Sequence, residues 1–144
     1  MYKQILIAYD GSDESRGALT ECGSLATSLI AKVHLLAVIP SYAGIMVAEG
    51  MIIEDNYERE RQHYRDVLEE GLSKIRWRGC AVDGEVVHGE PVDEICERAR
   101  KLNADLICVG HRHASTWAQR WWRGSVGKTL VDHAPCSVLI TMSH

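Results

Sequence analysis

The stretch Gln4-Ile5-Leu6-Ile7-Ala8-Tyr9-Asp10-Gly11-Ser12 decides how this chain folds. Its apolar run is too short for a stable helix and lacks the alternation of a strand with one wet face. It fits a strand buried on both faces, ended by a turn at Asp10-Gly11-Ser12. Ser12 or Asp13 can cap a helix that starts there, and Ala18, Leu19, Cys22, Leu25, Ala26, Leu29 and Ile30 recur at helical spacing up to about Ala31. A second continuous apolar run, Val33 to Ile39, follows and ends at Pro40, where a ladder donor is missing. Strand, turn, helix and buried strand in that order predict a parallel pair joined by a crossover helix.

The pattern repeats outward. Residues 41–53 show no clean period and are expected to be a connection. From 54 to 76 charges are dense, yet Tyr57, Tyr64, Val67, Leu68, Leu72 and Ile75 share one stripe of a long helix whose charged side is a solvated face. Val82, Val86 and Val87 mark a third strand within 79–88. Gly89-Glu90-Pro91 then turns into a helix with Val92, Ile95, Cys96 and Ala99 on its inner face. Residues 105–110 and 136–140 read as strands four and five, with a helix over about 125–133 between them. Alternating strands and helices indicate a doubly wound α/β domain with a parallel sheet and helices on both faces. Ligands of such sheets enter beyond the carboxyl ends of the strands, so the ends of strands one and four, at Asp10 and Gly110, form the candidate crevice.

A chain of 144 residues buries a core without disulfides or metal. With 16 basic and 20 acidic residues the net charge is -4, which argues against a general nucleic-acid binder. No apolar run approaches the roughly 18 to 20 residues of a membrane span, and the first residues lack a secretory signal, so no membrane association and a cytoplasmic location are expected. The five cysteines, Cys22, Cys80, Cys96, Cys108 and Cys136, show no ligand spacing and are expected to be reduced.

In their order and spacing, Ile5-Leu6-Ile7-Ala8-Tyr9-Asp10-Gly11-Ser12, Gly89-Glu90-Pro91, Ala104-Asp105-Leu106-Ile107-Cys108-Val109-Gly110, Gly124-Ser125 and Ala134-Pro135-Cys136-Ser137-Val138-Leu139-Ile140 resemble the universal stress protein family. The resemblance covers nearly all of residues 1–144, taken as one domain. It implies a five-stranded parallel sheet of order 3-2-1-4-5, a homodimer paired through the last strand, and a role in stress survival or regulation. It also implies an adenine nucleotide, ATP first, with magnesium as a companion. Ala8 and Tyr9 would lie against it, Asp10 would bond a ribose hydroxyl or the adenine edge, and Val38 with Val109 would cover the base. Gly110, Arg112, His113, Gly124, Ser125 and Val126 would surround the phosphates.

Nucleotide-binding members of that family read Gly-x-x-Gly, nine residues, then Gly-Ser or Gly-Thr. Here Gly110 and Gly124-Ser125 match, but His113 stands in the place of the second glycine and ten residues separate it from Gly124. A side chain there changes the loop, because only glycine enters positive φ cheaply. Arg112, Arg120 and Arg123 make the loop basic, which suits either phosphate or plain solvation. Asp10 has two readings as well, a ribose ligand or a cap of the turn. Without the nucleotide the chain would be a dimeric regulatory module of the same fold.

Trp117, Trp121 and Trp122 crowd this loop and suit a lid or, better, a dimer or core contact. His111 and His113 have no third ligand at metal spacing. Position 122, where a P-loop ending in Gly127-Lys128-Thr129 would need its first glycine, is Trp. No nucleophile elbow or water-activating base can be assembled, so catalysis beyond slow ATP hydrolysis is not expected.

Overall fold

The computed structural model describes residues 1–40, 54–111 and 130–142, and of 54–56 only the backbone. Its elements are β1 (Gln4–Ala8), α1 (Asp13–Leu29), β2 (Lys32–Pro40), α2 (Glu54–Trp77), β3 (Val82–Gly89), α3 (Pro91–Leu102), β4 (Leu106–His111), α4 (Leu130–His133) and β5 (Ser137–Met142). The strands form one sheet of order β3-β2-β1-β4-β5, every pair parallel. This is the order expected from the family resemblance.

β1 is central because it can be dry on both sides. Ile5, Leu6 and Ile7 are fully buried, each contributing about 1.5–3 kcal/mol by burial. Strand alternation sends their side chains to opposite layers. Ile5 and Ile7 join Val33, Leu35, Leu106 and Cys108 beneath α1 and α2, which supply Leu19, Cys22, Ala26, Val67, Leu68, Leu72 and Ile75. Leu6 and Ala8 join Leu36, Ile107 and Val109 against Val92, Ile95, Cys96 and Ala99 of α3, with Leu130 of α4. Two cores thus sandwich the sheet.

Helix ends follow local chemistry. The Ser12 side chain caps α1 by accepting from the Ser15 N–H, and Ile30 closes it in the left-handed region at φ 55°. Glu90 caps α3 just before Pro91, and Asn103 closes it at φ 51°. Boundaries moved by one to three residues from the sequence reading, most at the start of β3, which begins at Val82 rather than 79. Pro40, expected to end the pairing of β2, still sits in register opposite Gly89, at the last position, where its missing donor costs least. Tyr57 departs from the expected stripe: its ring stacks on His88 at 5.6 Å, away from the core. All five cysteines are free, with Cys22, Cys96 and Cys108 buried. The expected connection at 41–53 and the first part of the helix at 125–133 lie outside the described residues.

Candidate functional site

Parallel pairing brings the carboxyl ends of all five strands to one edge of the sheet, and the turn after β1 shapes its centre. Gly11 takes φ +80°, a left-handed conformation that a side chain would strain. The turn is then tied by short bonds. The Asp10 carboxylate Oδ1 accepts from the Ser12 N–H at 3.0 Å, and the Asp10 N–H donates to Ser15 Oγ at 3.4 Å. One oxygen of Asp10 therefore holds the turn, and the other has no partner among the described residues.

Asp10 borders a cleft lined by Ala8, Tyr9, Leu36, Val38, Pro91 and Ile95. Its enclosed volume is about 10 Å³, enough for a single water. A cleft of this size admits no planar ring. The side chain of Tyr9 turns away, into the core under α1 and α2. There its hydroxyl donates to Glu70 at 3.3 Å, and burial, the largest influence, pushes its pKa above the ordinary tyrosine value. Val109 is buried among α3-side residues and does not line the cleft.

Gly110 has a structural reason to be glycine that the sequence did not disclose. A Cβ at this position would overlap the backbone carbonyl of Glu14 and meet the Ser15 nitrogen at 3.0 Å. The first turn of α1 thus lies directly on the end of β4. Arg112, His113, Gly124, Ser125 and Val126, with the three loop tryptophans, fall outside the described residues. Ala8, Asp10 and Val38 are brought together, and Gly110 stands beside the start of α1.

Two features escaped the sequence reading. His34, buried in β2, faces two carboxylates of β3: Nδ1 lies 2.7 Å from Asp83 Oδ1 and Nε2 lies 3.1 Å from Glu85 Oε1. Arg98 of α3 reaches the same Glu85 oxygen at 2.7 Å. Burial alone would raise the Asp83 carboxyl, but the hydrogen bond and charge of His34, helped by Lys32, hold it below the usual carboxylate range. Only the cross-strand register, His34 opposite Asp83, brings these groups together. The second feature is at the carboxyl end of β3, where His88 Nε2 lies 2.9 Å from the Tyr57 hydroxyl. Burial, followed by the charge of Arg61, lowers the His88 ring below its ordinary value. Among the described residues no group of three or more His, Cys, Asp or Glu could hold a metal ion, and no helix is long and apolar enough to cross a membrane.

Comparison with known proteins places this architecture. The model of the universal stress protein family matches residues 1–141. Universal stress protein MJ0531 of Methanocaldococcus jannaschii is 30% identical over 97% of this chain and 82% of its own length. Putative universal stress protein SAUSA300_1656 of Staphylococcus aureus is 32% identical over 96% and 83%. Among solved structures, a universal stress protein in complex with cAMP is 25% identical, with a TM-score of 0.67 over 98% of this chain and 97% of that one. Two more distant likenesses, both of TM-score 0.68, share the fold. One is a family protein from Arabidopsis thaliana with AMP bound, 18% identical over 99% and 92% of the two chains. The other is the universal stress protein from Archaeoglobus fulgidus in complex with dAMP, 20% identical over 96% and 97%. In sequence over nearly its whole length, and in strand order, this chain belongs to the universal stress protein family.

Proposed function

We propose that the chain binds an adenine nucleotide across the carboxyl edge of β1, β2 and β4, with ATP the first candidate, and that it acts as a regulatory sensor. The observation that carries this reading is Asp10, whose turn leaves one carboxylate oxygen unpartnered beside an apolar shelf of Ala8, Val38 and Pro91. A carboxylate acceptor next to an apolar surface suits the ribose hydroxyls and base of an adenosine. Complexes of related folds with cAMP, AMP and dAMP support the ligand class. The chain's own residues then divide the work: Val38 and Pro91 shield one face of the base from water, and Asp10 accepts from the sugar. Gly110, Arg112, His113, Gly124, Ser125 and Val126 are the residues proposed to meet the phosphates. Magnesium, if it accompanies ATP, would be held largely by the phosphates themselves. Pairing of β5 with its counterpart in a second copy would carry the bound state outward as a homodimer, in the cytoplasm.

Isothermal titration with ATP, ADP and AMP, with and without magnesium, tests the reading. Saturable heat is expected, and Asp10→Ala should weaken it about tenfold, the worth of one hydrogen bond to a charged group. No heat at millimolar nucleotide would leave the alternative, a dimeric regulatory module without a nucleotide.

A further inference from the structure

Among the described residues a groove lies far from the crevice, between α1 and the last turns of α2. It encloses about 520 Å³ and is lined by Leu19, Thr20, Lys74, Trp77 and Arg78. The two helices meet there as a ladder of residues four apart. Arg16 Nε pairs with Glu70 at 3.3 Å at one rung, and Arg78 donates to Ser24 Oγ at 3.0 Å at another. Between them, Thr20 bonds back to its own helix and Lys74 to Glu70. No bond joins this middle rung, and the groove opens at it.

Two properties of the opening go beyond the packing of two helices. Trp77 is 92% exposed; a lone exposed apolar side chain is ordinary, but this one lines a groove together with Leu19, Lys74 and Arg78. It stands in Lys74-Ile75-Arg76-Trp77-Arg78, and residues 71–82 contain no acid although the whole chain carries -4. Among the described residues neither Arg76 nor Arg78 has a carboxylate partner. Cations at the end of a helix answer its dipole, but the dipole gives no account of an exposed tryptophan among them.

We propose that this groove docks an acidic peptide segment of a partner protein, with an apolar side chain seated on Leu19 and Trp77 and carboxylates meeting Lys74 and Arg78. Charge complementarity selects an acidic occupant, and Arg and Trp are the side chains that most often dominate such contacts. Confinement of the cations to one helix end, in an acidic protein, disfavours a nucleic acid. α2 ends where β3 begins, so this surface lies at the amino edge of the sheet, opposite Asp10. A partner could therefore engage it whether or not a nucleotide is bound.

The test uses the full chain and a fluorescein-labelled peptide in which paired acids flank leucines, followed by fluorescence anisotropy. Saturable binding that weakens with added salt is expected, reduced about tenfold or more by Trp77→Ala and by Arg78→Glu, as for hot-spot residues. Ser24→Ala, which removes the bond to Arg78 but leaves its charge, should bind like the parent, and urea unfolding verifies that each variant is folded. The proposal is overturned if the peptide fails to saturate or if a lysine-substituted control binds equally. It is overturned likewise if neither Trp77→Ala nor Arg78→Glu matters, or if phosphatidylserine vesicles bind through Trp77 while the peptide does not.

Discussion

Gly110 shows how one residue can satisfy two explanations that call for different experiments. Its place in the sequence suggests a backbone that approaches phosphates, whereas its surroundings show a backbone that admits the first turn of α1. Because the overlap would be with a carbonyl and not with a flexible side chain, Gly110→Ala must displace the helix start. A cost on the order of 1–3 kcal/mol, typical of an overfilled core, is expected, read as a fall in the urea midpoint. The displaced turn includes Ser12 and Ser15, which hold Asp10. Nucleotide affinity should fall with stability, even though the new methyl group faces Glu14. An alanine variant as stable as the parent would contradict this packing.

At the scale of elements, β3 is an edge strand whose attachment depends partly on charge. His34 presents both ring nitrogens to carboxylate oxygens, one of Asp83 and one of Glu85. The Asp83 carboxyl is depressed in the folded state. Its stabilisation is therefore complete above its unfolded value and disappears as pH falls through the lower, folded value. Asp83 is half exposed, so solvent screening keeps the effect modest. Urea unfolding of the parent and Asp83→Asn should show a gap near neutral pH that narrows as pH falls below the usual carboxylate range; a gap independent of pH would assign the pairing no electrostatic role. The strands themselves were legible because burial on both faces writes a continuous apolar run, as at Ile5-Leu6-Ile7. The His34 cluster was not, since residues 34 and 83 meet only through a register that no local pattern encodes. The stripe of α2 was legible at Val67, Leu68, Leu72 and Ile75 because burial of one face writes apolar residues at helical spacing. It failed at Tyr57, where a neighbouring histidine on another element offered a polar partner to the hydroxyl. Likewise Asp10 could be placed at the strand end from the sequence, but the division of its two oxygens between turn and crevice depends on the folded geometry of Ser12.

For the whole molecule, any ligand or partner that favours the folded chain is linked to stability, so unfolding tests the proposed crevice without any assay of activity. A nucleotide that binds only the folded chain stabilises it by about 2.7 kcal/mol at a concentration one hundred times its Kd. For a domain of this length that corresponds to a rise in Tm of roughly 5–10 °C, at about 2–4 °C per kcal/mol. If β5 pairs two copies, Tm should also climb with protein concentration, because dissociation then accompanies unfolding. The two effects separate in a grid of thermal scans over ATP and protein concentration. Asp10→Ala should flatten the ATP axis and leave the protein axis intact, since Asp10 lies at the centre of the sheet and β5 at its edge. A flat ATP axis in the parent would remove the nucleotide but retain the dimer, whereas a flat protein axis across the dissociation range would remove the dimer but retain the nucleotide. Loss of both responses in Asp10→Ala would show that the turn after β1 and the pairing edge are coupled through β4, whose Gly110 lies against α1.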